Sequence, residues 1–160
     1  MGKIKTIRHF LVEAPFFEGM DDRHLDLISG CGHLVHFNTG DFLLKEGEQA
    51  NSFFLIRKGD VAIESYLPGA EMTVAKVGTN GIVGYSWLFA PYRNAFDARA
   101  LTQVEVVRLN GECLRGKADA DHELGYQFMK RFAEVMLQMM HAARHQMLDI
   151  YGSATKPNTD

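Results

Sequence analysis

The sequence has few cysteines, no excess of basic residues and no long apolar run. Its two cysteines, Cys31 and Cys113, do not form a CxxC pair, so a metal knuckle is excluded. Two isolated cysteines are typical of a reducing compartment, where we expect both as small buried thiols. The net charge of −3 at pH 7 argues against a dedicated nucleic-acid surface, which would be basic.

Membrane and secretory signals are also absent from the sequence. No window approaches the ~18 consecutive apolar residues of a membrane span. The N-terminus lacks the apolar segment of a signal peptide. We therefore predict a cytoplasmic protein that has no membrane partner.

The motifs of common enzyme classes do not occur either. There is no P-loop, Rossmann fingerprint or nucleophile elbow. His33 and His36 stand three apart on a predicted strand, so they do not share a face. His141 and His145 have i, i+4 spacing on a predicted helix, but no carboxylate or cysteine clearly converges on them. We predict no catalytic residues and no metal site, and a metal-dependent cupin-type enzyme remains the less favoured alternative.

The 160 residues, 46% of them apolar, predict a single domain over residues 1–151. Residues 6–32 read as short N-terminal helices. Pro15 interrupts the first helical pattern, and Asp21 and Asp22 are N-cap candidates for the next helix, which ends at Gly30.

Residues 33–110 predict a β-roll. Short apolar runs, each closed by turn residues, cover 34–37, 42–45, 53–56, 61–67, 72–77, 95–101 and 104–109. Repeated short strands with glycine-containing turns and no helices between them indicate an antiparallel roll. The predicted fold class is therefore mainly β with flanking helices: a jelly-roll, or double-stranded β-helix, of the cupin-like kind.

Residues 119–151 predict one long C-terminal helix, with Asp119 or Asp121 as its cap, and residues 152–160 a disordered tail. At ~1.5 Å per residue the helix would be ~45 Å long, more than one small roll can cover. Its apolar surface predicts a homodimer through this helix; alternatively, the stripe folds back wholly onto the roll. The residues assigned to the dimer helix are Phe128, Phe132, Val135, Met136, Met139, Met140 and Ala143.

Residues 78–100 contain a glycine-rich segment before a short apolar turn. Gly78, Gly81 and Gly84 precede the turn at 86–89. Glycines let backbone amides approach a ligand, and a helix N-terminus favours anions. This signal is weak by itself, because β-proteins use glycine in most tight turns.

The order of parts, short helices, β-roll and long helix, resembles the cyclic nucleotide-binding domain of the catabolite activator/FNR superfamily. The resemblance rests on Gly-Asp-Phe-Leu-Leu at 40–44, Gly-containing Glu-Gly-Glu at 46–48, Phe-Phe-Leu-Ile at 53–56 and Gly-Asp-Val at 59–61. It extends from about Phe10 to Tyr151. It implies that residues 78–100 form a phosphate-binding cassette, and that the long helix closes the pocket and pairs with its dimer mate.

Two cassette positions depart from that family's pattern. Members that bind cyclic nucleotides carry Gly-Glu, where this chain has Gly84-Tyr85. They also carry an arginine that pairs with the phosphate; an ungapped match places Asn94 there, with Arg93 one residue early. Strand periodicity puts Asn94 on the inward face and Arg93 on the outward face, unless a bulge rotates the arginine. The candidate ligand-binding residues are Gly84, Tyr85, Ser86, Trp87, Arg93, Asn94 and Ala95.

These observations predict a non-catalytic, dimeric ligand-sensing module whose binding of cyclic AMP or cyclic GMP is weak, altered or absent. No other cofactor is predicted, and a small-molecule effector and an unidentified protein partner are expected. Only nine residues follow Tyr151, so we expect no helix-turn-helix and no direct DNA binding. The alternative is a structural protein-interaction dimer whose pocket is filled by side chains.

Overall fold

The computed structural model describes residues 6–67 and 70–154, which contain four α-helices and eight strands. The helices are α1 Ile7–Glu13, α2 Asp22–Ser29, α3 Gly111–Ala120 and α4 His122–Ala154, with a 3-10 helix at Pro15–Phe17. The strands are β1 Gly32–Phe37, β2 Phe42–Leu44, β3 Ser52–Lys58, β4 Val61–Leu67, β5 Ala70–Val77, β6 Ile82–Val83, β7 Asp97–Ala100 and β8 Val104–Asn110. The predicted jelly-roll with flanking helices is confirmed.

The strands form two antiparallel sheets. The first has the order β1-β8-β3-β6 and the second β2-β7-β4-β5. Non-sequential neighbours, such as β8 between β1 and β3, are what a roll requires, because the chain crosses from one sheet to the other between strands. All seven strands expected from the apolar runs occur, with ends shifted by a few residues, and the two-residue β6 was not expected.

The central strands of the first sheet, β3 and β8, bury residues on both faces. β3 and β8 pair so that Phe53 lies opposite Leu109 and Phe54 opposite Arg108. Directly opposed residues share a face, and the Phe53 ring lies 5.3 Å from that of Phe16 in the N-terminal helical segment. Phe53 and Leu109 therefore face the helices, whereas Phe54 and Arg108 lie on the opposite face of the sheet.

Helix α3 was not predicted. Two glycines within its ten residues, Gly111 and Gly116, give it low helix propensity. Asn110, the last residue of β8, starts it by accepting the N–H of Cys113 at 2.9 Å. Leu114 and Ala118, one turn apart, are buried. Capping and tertiary packing together override the weak propensity.

The prediction of two unpaired buried thiols is wrong, because Cys31 and Cys113 form a disulfide with their Cα atoms 5.8 Å apart. Pairing of β1 with β8 sets Gly32 opposite Leu109, and the N–H of Asn110 donates to the carbonyl of Cys31 at 2.9 Å. The first turn of α3 then brings Cys113 next to Cys31. The crosslink joins the start of the roll to its end.

Helix α4 begins at His122 rather than at residue 119, because Asp121 has extended backbone geometry and separates it from α3. One carboxylate oxygen of Asp121 accepts the N–H of Leu124 at 3.3 Å, and the other lies 2.7 Å from Arg23. Burial raises the pKa of the Asp121 carboxyl. The N–H of Leu124 and the charges of Arg23 and His24 lower it by more, so this pKa lies below its ordinary value. Asp121, one of the two predicted caps, thus holds this helix end as a carboxylate.

The chain divides into two compact units, residues 1–124 and 125–160, and the division falls inside α4. The sequence had predicted one domain over 1–151. The predicted tail at 152–160 begins as helix, since α4 runs to Ala154, and its remaining residues lie outside the described part of the chain. None of the helices in the described ranges is long and apolar enough to cross a membrane.

Candidate functional site

The cassette-like segment starts at Gly84, where the backbone turns sharply out of β6. Gly84 has φ of +95°, and a Cβ atom added to it would lie 2.9 Å from the carbonyl oxygen of Ser52. Glycine is therefore required here both by conformation and by space. It places the following turn directly against the start of β3.

The turn after Gly84 is shorter than an α-helix. The N–H of Leu88 donates to the carbonyl of Tyr85 at 3.1 Å, and the N–H of Phe89 donates to that of Ser86 at 3.3 Å. Two consecutive bonds of this spacing make a tight turn without helix assignment. These bonds engage the amides of Leu88 and Phe89. The amides that a helix-terminus anion site would use, those of Ser86 and Trp87, come earlier in the turn and are not the donors of these two bonds.

Aromatic side chains fix the turn to the roll. Trp87 is fully buried and stacks on Phe53, with ring centroids 5.8 Å apart. Tyr85 packs edge-on against Phe96 at 5.7 Å. Burial raises the pKa of the Tyr85 phenol, so it stays neutral at physiological pH. The place of the family's ribose-binding glutamate is therefore held by an uncharged ring packed on another ring.

An arginine from α3 also clamps the segment. Arg115 donates to the carbonyl oxygen of Trp87 at 2.5 Å, and its guanidinium lies 4.4 Å from the centre of the Tyr92 ring. Tyr92 follows the cis Ala90–Pro91 bond and has φ of +58°. Arg115 therefore makes both of these contacts with the cassette-like segment.

Residues 92–94 pair with residues 47–50, and this pairing orients the predicted anchor residues. The N–H of Asn94 donates to Glu48 at 2.9 Å, and the N–H of Gly47 donates back to Asn94 at 2.9 Å. Side chains alternate along such a ladder. Accordingly, Arg93 is exposed, as is Ala95, while Asn94 is buried.

The Asn94 side chain stabilises the loop between β2 and β3. Its amide donates to the backbone carbonyl of Lys45 at 3.0 Å. Nearby, buried Asp97 accepts the N–H of Glu46 at 2.7 Å. Both side chains satisfy backbone groups of the β2–β3 loop, so neither is an unoccupied ligand group.

A polar cavity of about 410 Å³ lies beside this loop. Its volume is in the usual range for small-molecule sites. The cavity is lined by Phe42, Leu43, Leu44, Lys45, Glu48, Gln49, Asn51, Ser52, Asn94 and Arg108. Among the seven ligand-binding residues predicted from the sequence, Asn94 alone lines it.

Arg108 is the residue that sequence reasoning missed. It is partly buried, and its Nε donates to the hydroxyl of Ser52 at 2.8 Å. A signal existed in β8, where Val104, Val106 and Arg108 alternate on one face. An arginine at the third inward position of an otherwise apolar face is unusual, because burying a guanidinium costs free energy unless its charge is paired and hydrogen-bonded.

No group of three or more His, Cys, Asp and Glu side chains suited to a metal occurs within residues 6–67 and 70–154. His33 and His36 are both exposed on β1. His36 contacts Glu105 at 3.5 Å.

The family model of the cyclic nucleotide-binding domain matches residues 34–121, more than half of the chain. The chain belongs to the cyclic nucleotide-binding domain family. The match spans the roll, the cassette-like segment, the cavity and α3. The resemblance to the catabolite activator/FNR superfamily inferred from the sequence is thereby confirmed.

Solved members of this family share the fold. A candidate cyclic nucleotide-binding protein of Geobacter metallireducens GS-15 superposes with a TM-score of 0.74 at 29% identity, covering 87% of this chain and 100% of that one. A cyclic nucleotide-binding domain of Methylobacillus flagellatus KT gives a TM-score of 0.69 at 19% identity, covering 96% of this chain and 85% of that one. At the latter identity the likeness concerns the fold alone.

Curated relatives are longer proteins. The cAMP-dependent protein kinase regulatory subunit of Emericella nidulans is 26% identical over 100 residues, which cover 62% of this chain and 24% of that protein. The chain thus spans about a quarter of the length of this relative. The matched residues of this chain are thus similar to one part of a regulatory subunit.

Proposed function

We propose that this protein is a non-catalytic ligand-sensing domain whose cyclic nucleotide specificity is altered or lost. The observation that carries the proposal is the chemistry at the two anchor positions. Tyr85 is packed against Phe96, and the Asn94 amide is bonded to the Lys45 carbonyl. Arg93, the nearest alternative cation in the sequence, is exposed and does not line the cavity.

The size of the effect follows from the two missing contacts. A charge-assisted hydrogen bond contributes roughly 1.5–3 kcal/mol. Loss of both would weaken cyclic nucleotide binding by roughly two to four powers of ten, at ~1.4 kcal/mol per decade. The neutral phenol of Tyr85 and the engaged amide of Asn94 do not replace these interactions.

Titration with cyclic AMP and cyclic GMP tests the proposal directly. Trp87 is the only tryptophan and lies in the cassette-like segment, so its fluorescence reports on that segment without a label. We expect no saturable change at micromolar nucleotide by fluorescence or calorimetry. Micromolar binding of either nucleotide would contradict the loss of specificity. As a separate test of ligand sensing, a thermal-shift screen of other metabolites should identify a compound that raises the melting temperature of the protein.

The alternative is a structural interaction dimer with a filled roll. The packing of Tyr85, Phe96 and Trp87 supports this alternative for the cassette side. The cavity of about 410 Å³ favours sensing. An absence of stabilisation across the metabolite screen would favour the structural dimer.

We further propose that the protein forms a homodimer through α4. Phe128 and Phe132 are already buried in the single chain, so the partner surface begins after them. Met136, Met140, Ala143 and Met147 then have the 4-3-4 spacing of a coiled-coil seam. Met140 and Met147 are 66% and 60% exposed, an apolar surface that a second copy of the helix would cover. Val135 and Met139 flank the seam and are half-buried.

Replacing Met140 with glutamate should convert the dimer to a monomer. Two symmetry-related carboxylates would meet in the seam, and an uncompensated buried charge costs about 3–5 kcal/mol. At ~1.4 kcal/mol per decade this weakens the dimer by roughly a hundredfold or more. Sedimentation analysis over a concentration series measures the change.

Gln138→Glu is the matched control for this substitution. It adds the same charge to the same helix at an exposed position outside the 136-140-143-147 seam. The control should remain dimeric. If both variants, or neither, dissociated, the proposed seam would be incorrect.

The partners and location belong to the same proposal. Relatives are regulatory subunits, and we propose that this domain passes ligand occupancy to a protein partner rather than binding DNA directly. We place it in the cytoplasm, where metabolite effectors are found. The Cys31–Cys113 disulfide does not favour this location, because disulfides are rare in reducing compartments.

A further inference from the structure

The cavity contains a cation without an ionic partner. Arg108 bonds to the Ser52 hydroxyl through Nε, and Ser52 is its sole side-chain hydrogen-bond partner among the side chains described, those of residues 6–65 and 72–152. No carboxylate of these side chains lies within ion-pair distance of it. The two terminal nitrogens of the guanidinium therefore retain their hydrogen-bonding capacity.

Other partly buried arginines of the roll have such partners. Arg57 pairs with Glu105 at 3.2 Å, and Arg99 pairs with buried Glu64 at 2.7 Å. Arg108 differs from both, because its partner is the neutral hydroxyl of Ser52, which neutralises none of its charge. A partly buried guanidinium is costly without compensation, and a bound anion would provide it.

The surroundings of Arg108 match an anionic ligand. The cavity has two cationic side chains, Lys45 and Arg108, against one anionic side chain, Glu48. Asn51 and Gln49 add neutral hydrogen-bonding groups to its wall. A second cavity, of about 440 Å³, is lined by the cations Arg23 and Lys117 and by Asp121. Its arginine already has an ionic partner, because Asp121 pairs with Arg23 at 2.7 Å.

We infer that the cavity between the β2–β3 loop and β8 binds a small anion, a carboxylate or a phosphate group, through the guanidinium of Arg108. The inference rests on the proposed sensing function and names the ligand class. The fork of an arginine matches two oxygens of a carboxylate or phosphate side by side. The hydrogen bond from Nε to Ser52 orients this fork. None of residues 84–89 lines the cavity, so the anion site is separate from the backbone amides of the cassette turn.

The test is a titration of the full chain with inorganic phosphate and, separately, with succinate, at constant ionic strength and followed by NMR. We expect saturable shifts at residues 45–52 and 108. Arg108→Gln should weaken binding by about tenfold to hundredfold, the range of one charge-assisted hydrogen bond. The two probes distinguish a phosphate site from a carboxylate site.

Lys58→Gln is the charge control. It removes one positive charge at an exposed position of the roll that does not line the cavity, and should leave the affinity unchanged. Equal weakening by both variants would show a non-specific charge effect, and unchanged affinity in Arg108→Gln would place the anion elsewhere. Either result overturns the site.

Arg108→Lys guards against a loss of fold in the glutamine variant. It keeps the charge but lacks the fork, so we expect an affinity between those of the wild-type chain and Arg108→Gln. Wild-type affinity in Arg108→Lys would overturn the role of the guanidinium. The absence of saturable binding of both anions to the wild-type chain would overturn the anion site alone, because a stabilising neutral metabolite would still support the sensing function.

Discussion

Replacing Trp87 with alanine should lower the free energy of unfolding by about 3–5 kcal/mol, the usual range for truncating a large buried aromatic residue. Trp87 is fully buried and stacks on Phe53. A Cβ atom added to Gly111 would lie 2.8 Å from the Cβ atom of Trp87, so the backbone of α3 lies close against this side chain. The tryptophan thus joins the cassette-like segment, β3 and α3.

Urea unfolding followed by circular dichroism measures this loss, since the variant has no tryptophan fluorescence. Trp87→Phe, which keeps an aromatic ring against Phe53, should lose clearly less stability than the alanine variant. Leu88→Ala is a neighbouring control at a half-buried position. If Trp87→Ala cost no more than Leu88→Ala, the indole would not be the main packing contact of the segment.

Removing the disulfide should have the second largest effect on stability. Cys31 and Cys113 are separated by 82 residues in sequence. In the chain-entropy account a crosslink closing so long a loop restricts the unfolded state strongly, and typical contributions are about 2–4 kcal/mol. We therefore expect the double variant Cys31→Ala, Cys113→Ala to unfold at a lower urea concentration than the oxidised chain.

Reductant provides the internal control for this prediction. Dithiothreitol should lower the stability of the wild-type chain towards that of the double variant and should leave the double variant unchanged. Equal stability of the wild-type chain with and without reductant would contradict the prediction. Alkylation with a thiol reagent before and after reduction checks that the bond was present.

Some of the candidate site could be predicted from local patterns. The alternation of residues 92–96 predicted Arg93 outward and Asn94 inward, and their burial in the structure agrees with that phase. The cavity itself could not be predicted in the same way. Its polar wall combines Lys45 and Ser52 with Arg108, which lies more than fifty residues later in the chain.

The sequence by itself predicted the roll, because short apolar runs closed by glycine-containing turns favour strands over helices before their partners are known. It also determined the chemistry at the family's anchor positions, since Tyr85 and Asn94 are read without coordinates. Tertiary structure decided the features that need distant segments to meet. Helix α3 forms at weak propensity because Leu114 and Ala118 find a buried site, and Cys31 finds Cys113 because β1 pairs with β8. Arg108 lines the cavity for the same reason. Alternation along β8 could place this residue on the inward face, but only the pairing of β8 with β3 brings it beside Ser52 and the β2–β3 loop.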